Sequence, residues 1–334
     1  MQILIIGGFG YIGSQLLESI AAHEKYRNCN IVVVDNWSYG RGMAPLQALF
    51  ESRLPHFHSY CLDFSEPGDA TFRDLVKSSD FIINVASLTQ VPSTNLHEKY
   101  IIDGVRVLTE LLTAENAGKL RKVIDISSTS IYGPVRTRMP DVTPPYSEQV
   151  YPDPAVALHN YAASKLVAEK IWQSDRCQGL PFTVFRLSTV FGYAVGMRYN
   201  QFINQFLVDA AAGRRTILPG SPDNIRPFVH IRDTADLMLH LLEQAPQTNG
   251  EILNIGAARL NPRLGDLFER LSALLSNEFG LKPDYAFAAD LGQPTLEESY
   301  QVDFSKFEKL VSFPLRHDFE SGARELLTRV LGRA

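Results

Sequence analysis

Gly7-Gly8-Phe9-Gly10-Tyr11-Ile12-Gly13 follows a short apolar run, Ile3-Leu4-Ile5-Ile6, and leads into a stretch with helical spacing. Strand, glycine turn and helix in that order make a cradle for a pyrophosphate. Gly7 permits the tight turn, Gly10 lets the backbone approach the ligand, and Gly13 lets the helix pack closely on the strand. The diphosphate then rests on the free N–H groups and the positive dipole end of the helix that Tyr11 and Ile12 open. A glycine triplet alone also fits a plain turn; the flanking strand and helix supply the confirming context.

Outward from this turn the same rhythm repeats. Apolar runs at 31–34, 81–85, 123–126 and 182–185 are brief, rich in Val, Ile or Phe, and bounded by Gly, Asp, Asn or Ser. Such runs suit strands buried on both faces of a parallel sheet. Helical patterns at 11–24, 98–118 and 155–178 lie between them. The alternation predicts βαβ crossovers and an α/β, doubly wound Rossmann parallel sheet. After residue 188 loops lengthen, with helical patterns at 200–213, 264–279 and 318–333. The runs at 228–231 and 252–255 read as strands returning to the sheet. The expected division is a dinucleotide-binding domain of residues 1–187, completed by 228–257, and a smaller C-terminal substrate-binding lobe of 188–227 and 258–334.

The 334 residues carry a net charge of −5, with no block of five like charges, which argues against a nucleic-acid or anionic-membrane partner. No apolar run approaches the roughly 18 residues of a spanning helix, and the chain opens straight into its first strand, without a leader pattern. Cys29, Cys61 and Cys177 form an odd set without metal or redox spacing; reduced thiols in a cytoplasm suit them best. His56 and His58 lack the further ligands a metal site requires and read as a surface loop, so no metal is expected.

Asp35 ends the second strand in Val32-Val33-Val34-Asp35-Asn36, 22 residues past Gly13. A carboxylate there accepts hydrogen bonds from the ribose hydroxyls and repels a 2′-phosphate, selecting NAD over NADP. A turn or cap Asp would look similar, and nearby Arg41 would soften the discrimination. Tyr161 and Lys165 stand four apart on a helical stretch and so share a face, where the ammonium favours the phenolate. With 13 tyrosines in the chain that spacing is cheap by itself. Ser127-Ser128-Thr129-Ser130, just past the strand at 123–126, offers a hydroxyl at the carboxyl end of the sheet, where ligands of such folds bind; a serine-rich turn is the plainer reading.

Together these features resemble the extended short-chain dehydrogenase/reductase family, in its nucleotide-sugar epimerase and dehydratase branch. The resemblance runs along essentially the whole chain, through the glycine motif at Gly7, Asp35, Ser128, Tyr161 and Lys165, Arg186 to Gly192, Arg226-Pro227-Phe228-Val229-His230-Ile231 and Asn254-Ile255-Gly256. It implies that Asp63 and Phe64 flank the adenine and that Val85, Ala86 and Ser87 pass beneath the pyrophosphate, with Asn36 beside Asp35. It makes Ser128 the catalytic hydroxyl, four residues before Tyr132, makes Tyr161 the base, and has Lys165 also hold the nicotinamide ribose.

Family members that dehydrate carry Asp-Glu after this serine, decarboxylating members a Glu, and C3/C5 epimerases a Cys. Thr129 and Ser130 serve poorly as acid or base. The chemistry left is reversible hydride transfer at a carbinol carbon, and the resemblance makes an NAD-dependent C4 epimerase of a nucleoside diphosphate sugar the expectation. An NAD-dependent dehydrogenase or reductase is the alternative; a dehydratase or a non-catalytic NAD-sensing protein fits less well. The substrate-binding set is Ser128, Thr129, Thr189 and Arg226. Thr189 stands where the family pattern has Asn, and an Arg usual before the late Tyr300 is missing from 289–299; Arg198, Arg214 and Arg215 are the cations available to substitute. Apolar residues beyond one stripe on the helices near 98–118 and 155–178 (Val105, Leu108, Leu112, Leu166, Val167, Ile171) predict a homodimer through a four-helix bundle, as in this family.

Overall fold

The computed structural model describes residues 1–38, 43–87, 98–115, 118–133, 135–157, 159–197, 199, 201–243, 246–293 and 299–332. Seven strands build the central sheet: β1 (Gln2–Ile6), β2 (Asn30–Asp35), β3 (Phe57–Cys61), β4 (Phe81–Asn84), β5 (Lys122–Ser128), β6 (Phe182–Leu187) and β10 (Glu251–Ile255). Their order is β10-β6-β5-β4-β1-β2-β3, and every pairing is parallel, with Ile3 opposite both Ile31 and Phe81. The order reverses between β1 and β4, so their carboxyl ends diverge and leave a crevice.

The helices are α1 (Tyr11–Ala22), α2 (Met43–Arg53), α3 (Ala70–Ser78), α4 (Gly104–Glu115), α5 (Val135–Arg138), α6 (Asn160–Trp172), α7 (Phe202–Ala211), α8 (Ile231–Glu243), α9 (Leu264–Leu274), α10 (Ser305–Leu310) and α11 (Phe319–Val330). Alternate residues of each central strand face opposite layers. Ile3, Ile5, Ile31 and Val33 join α1 and α8 in one core, while Leu4, Ile6, Val32 and Val34 join α4 and α6 in the other. The expected fold class is therefore observed. The helix expected at 98–118 opens with a π-helical segment, Glu98–Asp103, and that at 155–178 is a 3-10 turn, α6 and a further 3-10 turn.

Two expectations are corrected. The run at 228–231 does not rejoin the central sheet. β9 (Phe228–His230) pairs in parallel with β7 (Thr189–Phe191) in a separate two-stranded sheet. Alternation explains the difference, since Phe228 packs in a third cluster with Phe191, Phe206 and Phe268, while Val229 faces the main core. His58 lies in β3 rather than in a loop. That edge strand, Phe57-His58-Ser59-Tyr60-Cys61, buries only Phe57, so no apolar run announces it. A second two-stranded parallel pair joins β8 (Arg215–Leu218) to β11 (Asp284–Phe287). Among the described residues no helix is long and apolar enough to cross a membrane.

Candidate active site

A cavity of about 630 Å³ opens over the carboxyl ends of β1, β4 and β5 and extends toward α7 and β8. Its floor is the glycine turn. Gly7 has φ +82°, and a Cβ there would lie 2.7 Å from the Ala86 backbone; a Cβ on Gly13 would lie 2.3 Å from the Gly7 carbonyl. Only glycine lets β1, the 85–87 segment and α1 approach so closely. Helix α1 opens at Gly10 with no side chain capping it, which leaves first-turn N–H groups for an anion. Gly10, Tyr11 and Ile12 line the cavity with Val85, Ala86 and Ser87.

Asp35 lies in the wall at the end of β2. Its Oδ2 accepts from Phe9 N at 3.1 Å and its Oδ1 from Trp37 N at 2.9 Å. Burial pushes the carboxyl up from its ordinary range, and these two N–H groups pull it back. Each oxygen keeps a lone pair free for a further donor. Asn36 and Phe64 are in the same wall. Asp63 is not; it accepts from Ser65 N at 3.0 Å and pairs with Lys99 at 3.2 Å. Arg41 and Arg198 lie outside the described residues.

Ser128 and Tyr161 face the other half of the cavity. Ser128 caps a 3-10 turn, accepting from Ser130 N at 3.2 Å. His159 caps α6 through Nδ1, which accepts from Ala162 N at 3.1 Å, so the helix begins immediately before Tyr161. Lys165 is buried just behind the wall. Its Nζ donates to the Ile126 carbonyl and stands 5.8 Å from the Tyr161 ring centroid.

The structure separates the expected substrate residues. Thr189 lines the cavity. Thr129 is 1% exposed and donates to the Leu187 carbonyl at 3.3 Å, away from the lining, because the chain turns into the 3-10 helix there. Arg226 stands behind the lining residue Phe202, its guanidinium 4.8 Å from that ring. Of the substitute cations, Arg215 lines the cavity, whereas Arg214 is held by Asp209 at 2.7 Å.

Several lining residues have no announcing motif: Leu62, Ser188, Gln201, Phe202, Gln205 and the segment 216–219. Asp209 is also in the wall; its carboxyl, though raised by burial, is held below its ordinary range by hydrogen bonds from Gln205, Arg214 and Thr216. β8 alternates exposed and buried positions, but it buries Thr216 and exposes Ile217, so its sequence carries no alternation of polar and apolar residues.

A glycine-turn crevice opening onto a serine and a tyrosine, with a lysine buried behind the tyrosine, is the arrangement of a nicotinamide-dependent enzyme class. The family profile described as NAD dependent epimerase/dehydratase matches residues 3–256, and the chain belongs to that family. A UDP-N-acetyl-alpha-D-glucosaminuronate decarboxylase of Bacillus cytotoxicus is 28% identical over 264 residues, spanning 77% of this chain and 75% of the relative. A UDP-glucose 4-epimerase of Lacticaseibacillus casei is 27% identical over 277 residues, 77% of each chain. The fold is that of the UDP-glucuronic acid 4-epimerase from Bacillus cereus solved with UDP-glucuronic acid and NAD, at 19% identity, a TM-score of 0.79 and full coverage of both chains. The uncapped α1 terminus, the glycine approach and the two-handed Asp35 fit the NAD on which the family depends.

Proposed function

We propose that this protein is an NAD-dependent epimerase that inverts C4 of a nucleoside diphosphate sugar through a keto sugar. The observation that carries the reading is one cavity holding both Asp35 with the glycine turn and Ser128 with Tyr161. Gly7, Gly10, Tyr11, Ile12, Asp35, Asn36 and the 85–87 segment hold the dinucleotide, with Phe64 beside the adenine. Bound there, the nicotinamide supplies the acceptor and later the donor of the hydride on the sugar carbon.

Tyr161 takes the proton of the sugar hydroxyl as the C–H bond is lost, and gives it back when the carbon is reduced on its other face. Ser128 donates a hydrogen bond to the same oxygen and polarises the carbonyl it becomes. Lys165, its ammonium fixed on the Ile126 carbonyl, holds a positive charge behind the phenol. Thr129 turns its hydroxyl onto Leu187 and offers no acid or base for an elimination, which supports epimerisation over dehydration. Arg215 and Thr189 are the polar groups in the wall suited to the substrate diphosphate.

The same reading divides the chain into a dinucleotide-binding domain of 1–187 with 228–257 and a substrate lobe of 188–227 and 258–334, and assigns a cytoplasmic setting, supported by three free thiols. It also assigns a homodimer. Val105, Leu108 and Leu112 are spent on one buried cluster of the chain and Leu166 on another, so the pairing face falls to half-buried Leu111, Val167 and Ile171. Light scattering at micromolar protein giving a single-chain mass contradicts the dimer.

The direct test incubates the purified protein with UDP-glucose, UDP-glucuronic acid and UDP-N-acetylglucosamine in turn, and reads products by NMR and bound cofactor by absorbance. Formation of a C4 epimer without net reduced cofactor supports the reading. Stoichiometric reduced cofactor with a released keto sugar points to a dehydrogenase, and no conversion of any nucleotide sugar contradicts it.

A further inference from the structure

Three successive residues of β5 are each gripped by a different residue of α6. Trp172 Nε1 donates to Asp125 Oδ2 at 2.9 Å, Lys165 Nζ donates to the Ile126 carbonyl, and Ser127 Oγ donates to Glu169 Oε1. The next residue of the strand is Ser128, and the helical turn before Lys165 carries Tyr161. Tyr161, Lys165 and Glu169 recur every four residues and so share the inward face of the helix.

Glu169 is held from the other side as well. Arg186 of β6, fully buried, donates Nε to Oε1 at 3.0 Å and Nη2 to Oε2 at 2.7 Å. Its Nη1 donates to the Tyr132 hydroxyl at 2.7 Å, which in turn donates to Asn254 Oδ1 of β10 at 2.8 Å. The carboxylate is thus fixed by a bidentate fork, which leaves its Oε1 a lone pair for Ser127. Ser127 lines the cavity beside Ser128, but it is buried and its hydroxyl is given to Glu169.

Resting on the reading of Ser128 and Tyr161 as the proton-handling pair, we propose that Ser127 and Glu169 are positioning residues that set the separation between the Ser128 hydroxyl and the Tyr161 phenol. A hydrogen bond to a buried ionised acceptor is stiffer than one between neutral groups. Glu169 lies behind the lining and the Ser127 hydroxyl is committed to it, so each acts through its neighbour. Loss of the link lets the end of β5 shift against α6, and a displacement of about 1 Å at a reacting group costs on the order of a hundredfold in rate.

The test compares Ser127→Ala and Ser127→Thr with the wild-type holoenzyme, measuring single-turnover reduction of bound NAD by whichever of UDP-glucose, UDP-glucuronic acid and UDP-N-acetylglucosamine the wild type uses. Ser127→Ala is expected to slow reduction roughly ten- to a hundredfold, with half-saturating sugar concentration held within about twofold. Ser127→Thr restores the hydroxyl and most of the rate. Glu169→Asp, which keeps the charge opposite Arg186 and withdraws it from Ser127, gives the same split of rate from affinity. A role in stability alone would lower the unfolding midpoint and leave the rate in place. Ser127→Ala reducing NAD at the wild-type rate, or Ala and Thr variants equally slow, overturns the inference while the functional reading stands. A wild type that reduces NAD with none of the three sugars defeats the functional reading and this inference with it.

Discussion

The hydroxyl of Tyr11 donates to the carbonyl of Gly192 at 2.6 Å across 181 residues of sequence. Asn204 closes the triangle, donating Nδ2 to the Tyr11 hydroxyl at 3.0 Å and accepting from Gly192 N at 3.0 Å. Burial pushes the phenol well above its ordinary pKa, so it is a fixed donor. The glycine turn is thereby tied to α7, whose residues Phe202, Gln205 and Asp209 line the same cavity. Tyr11→Phe leaves a carbonyl and an amide unpaired inside the protein, an expected loss of about 1–3 kcal/mol. It should also weaken nucleotide-sugar binding. Urea unfolding checks the first effect and calorimetric titration the second; unchanged values for both mean the triangle couples nothing.

The proposed reading has Asp35 discriminate between cofactors by charge. Asp35→Asn replaces one acceptor by an amide that meets the Phe9 or Trp37 N–H donor to donor, and it removes the repulsion toward a 2′-phosphate. NAD affinity should fall by about tenfold or more, given the roughly 1.5–3 kcal/mol of hydrogen bonds to charged groups, while the ratio of NADP to NAD affinity rises. Fluorescence titration of both dinucleotides measures this. A variant with wild-type NAD affinity and selectivity removes Asp35 from the ribose site.

His230 makes the fold acid-sensitive. Burial first, and then the neighbouring His317, stacked at 4.2 Å, lower its pKa from 6.5 to about 3. Between those values the unfolded chain binds a proton that the folded chain refuses. Stability therefore falls as pH drops below about 6.5, by up to about 1.4 kcal/mol per unit from this group. Asp233, held below the ordinary range by its bonds from His317 despite burial, adds a loss of the same sign only below about pH 4. His230→Asn should be less stable at neutral pH but show a flatter fall between about pH 6.5 and pH 4.5. Equal slopes for the two proteins in urea midpoints across that window contradict this account.

Local pattern disclosed the parts that local pattern controls. β1, β2, β4, β5 and β6 are buried on both faces and so read as continuous apolar runs, and the glycine turn is a contiguous motif. β3 was hidden because an edge strand buries one residue in five. The pairing of β9 with β7 was hidden because strand partners are chosen by tertiary packing, here Phe228 against Phe191 and Phe319. In the site, Ser128, Tyr161 and Asp35 were legible because each sits at a strand end or helix start. Thr129 and Arg226 stand off the lining because a residue's neighbour in sequence can face the opposite side of the wall. The α7 and β8 wall carries no motif, being assembled from single residues of an ordinary helix and strand.

The most direct measurement is single-turnover reduction of bound NAD, with epimer formation, in Tyr161→Phe beside the wild type. Ser128→Ala, which on the proposed reading loses one donor worth roughly 3 kcal/mol, and Lys165→Met, which loses the ammonium behind the phenol, bracket it. Tyr161→Phe is expected to keep its NAD, because the glycine turn and Asp35 are untouched, and to lose turnover by about 10²–10⁴-fold. A Tyr161→Phe protein that epimerises a nucleotide sugar at the wild-type rate contradicts the central claim.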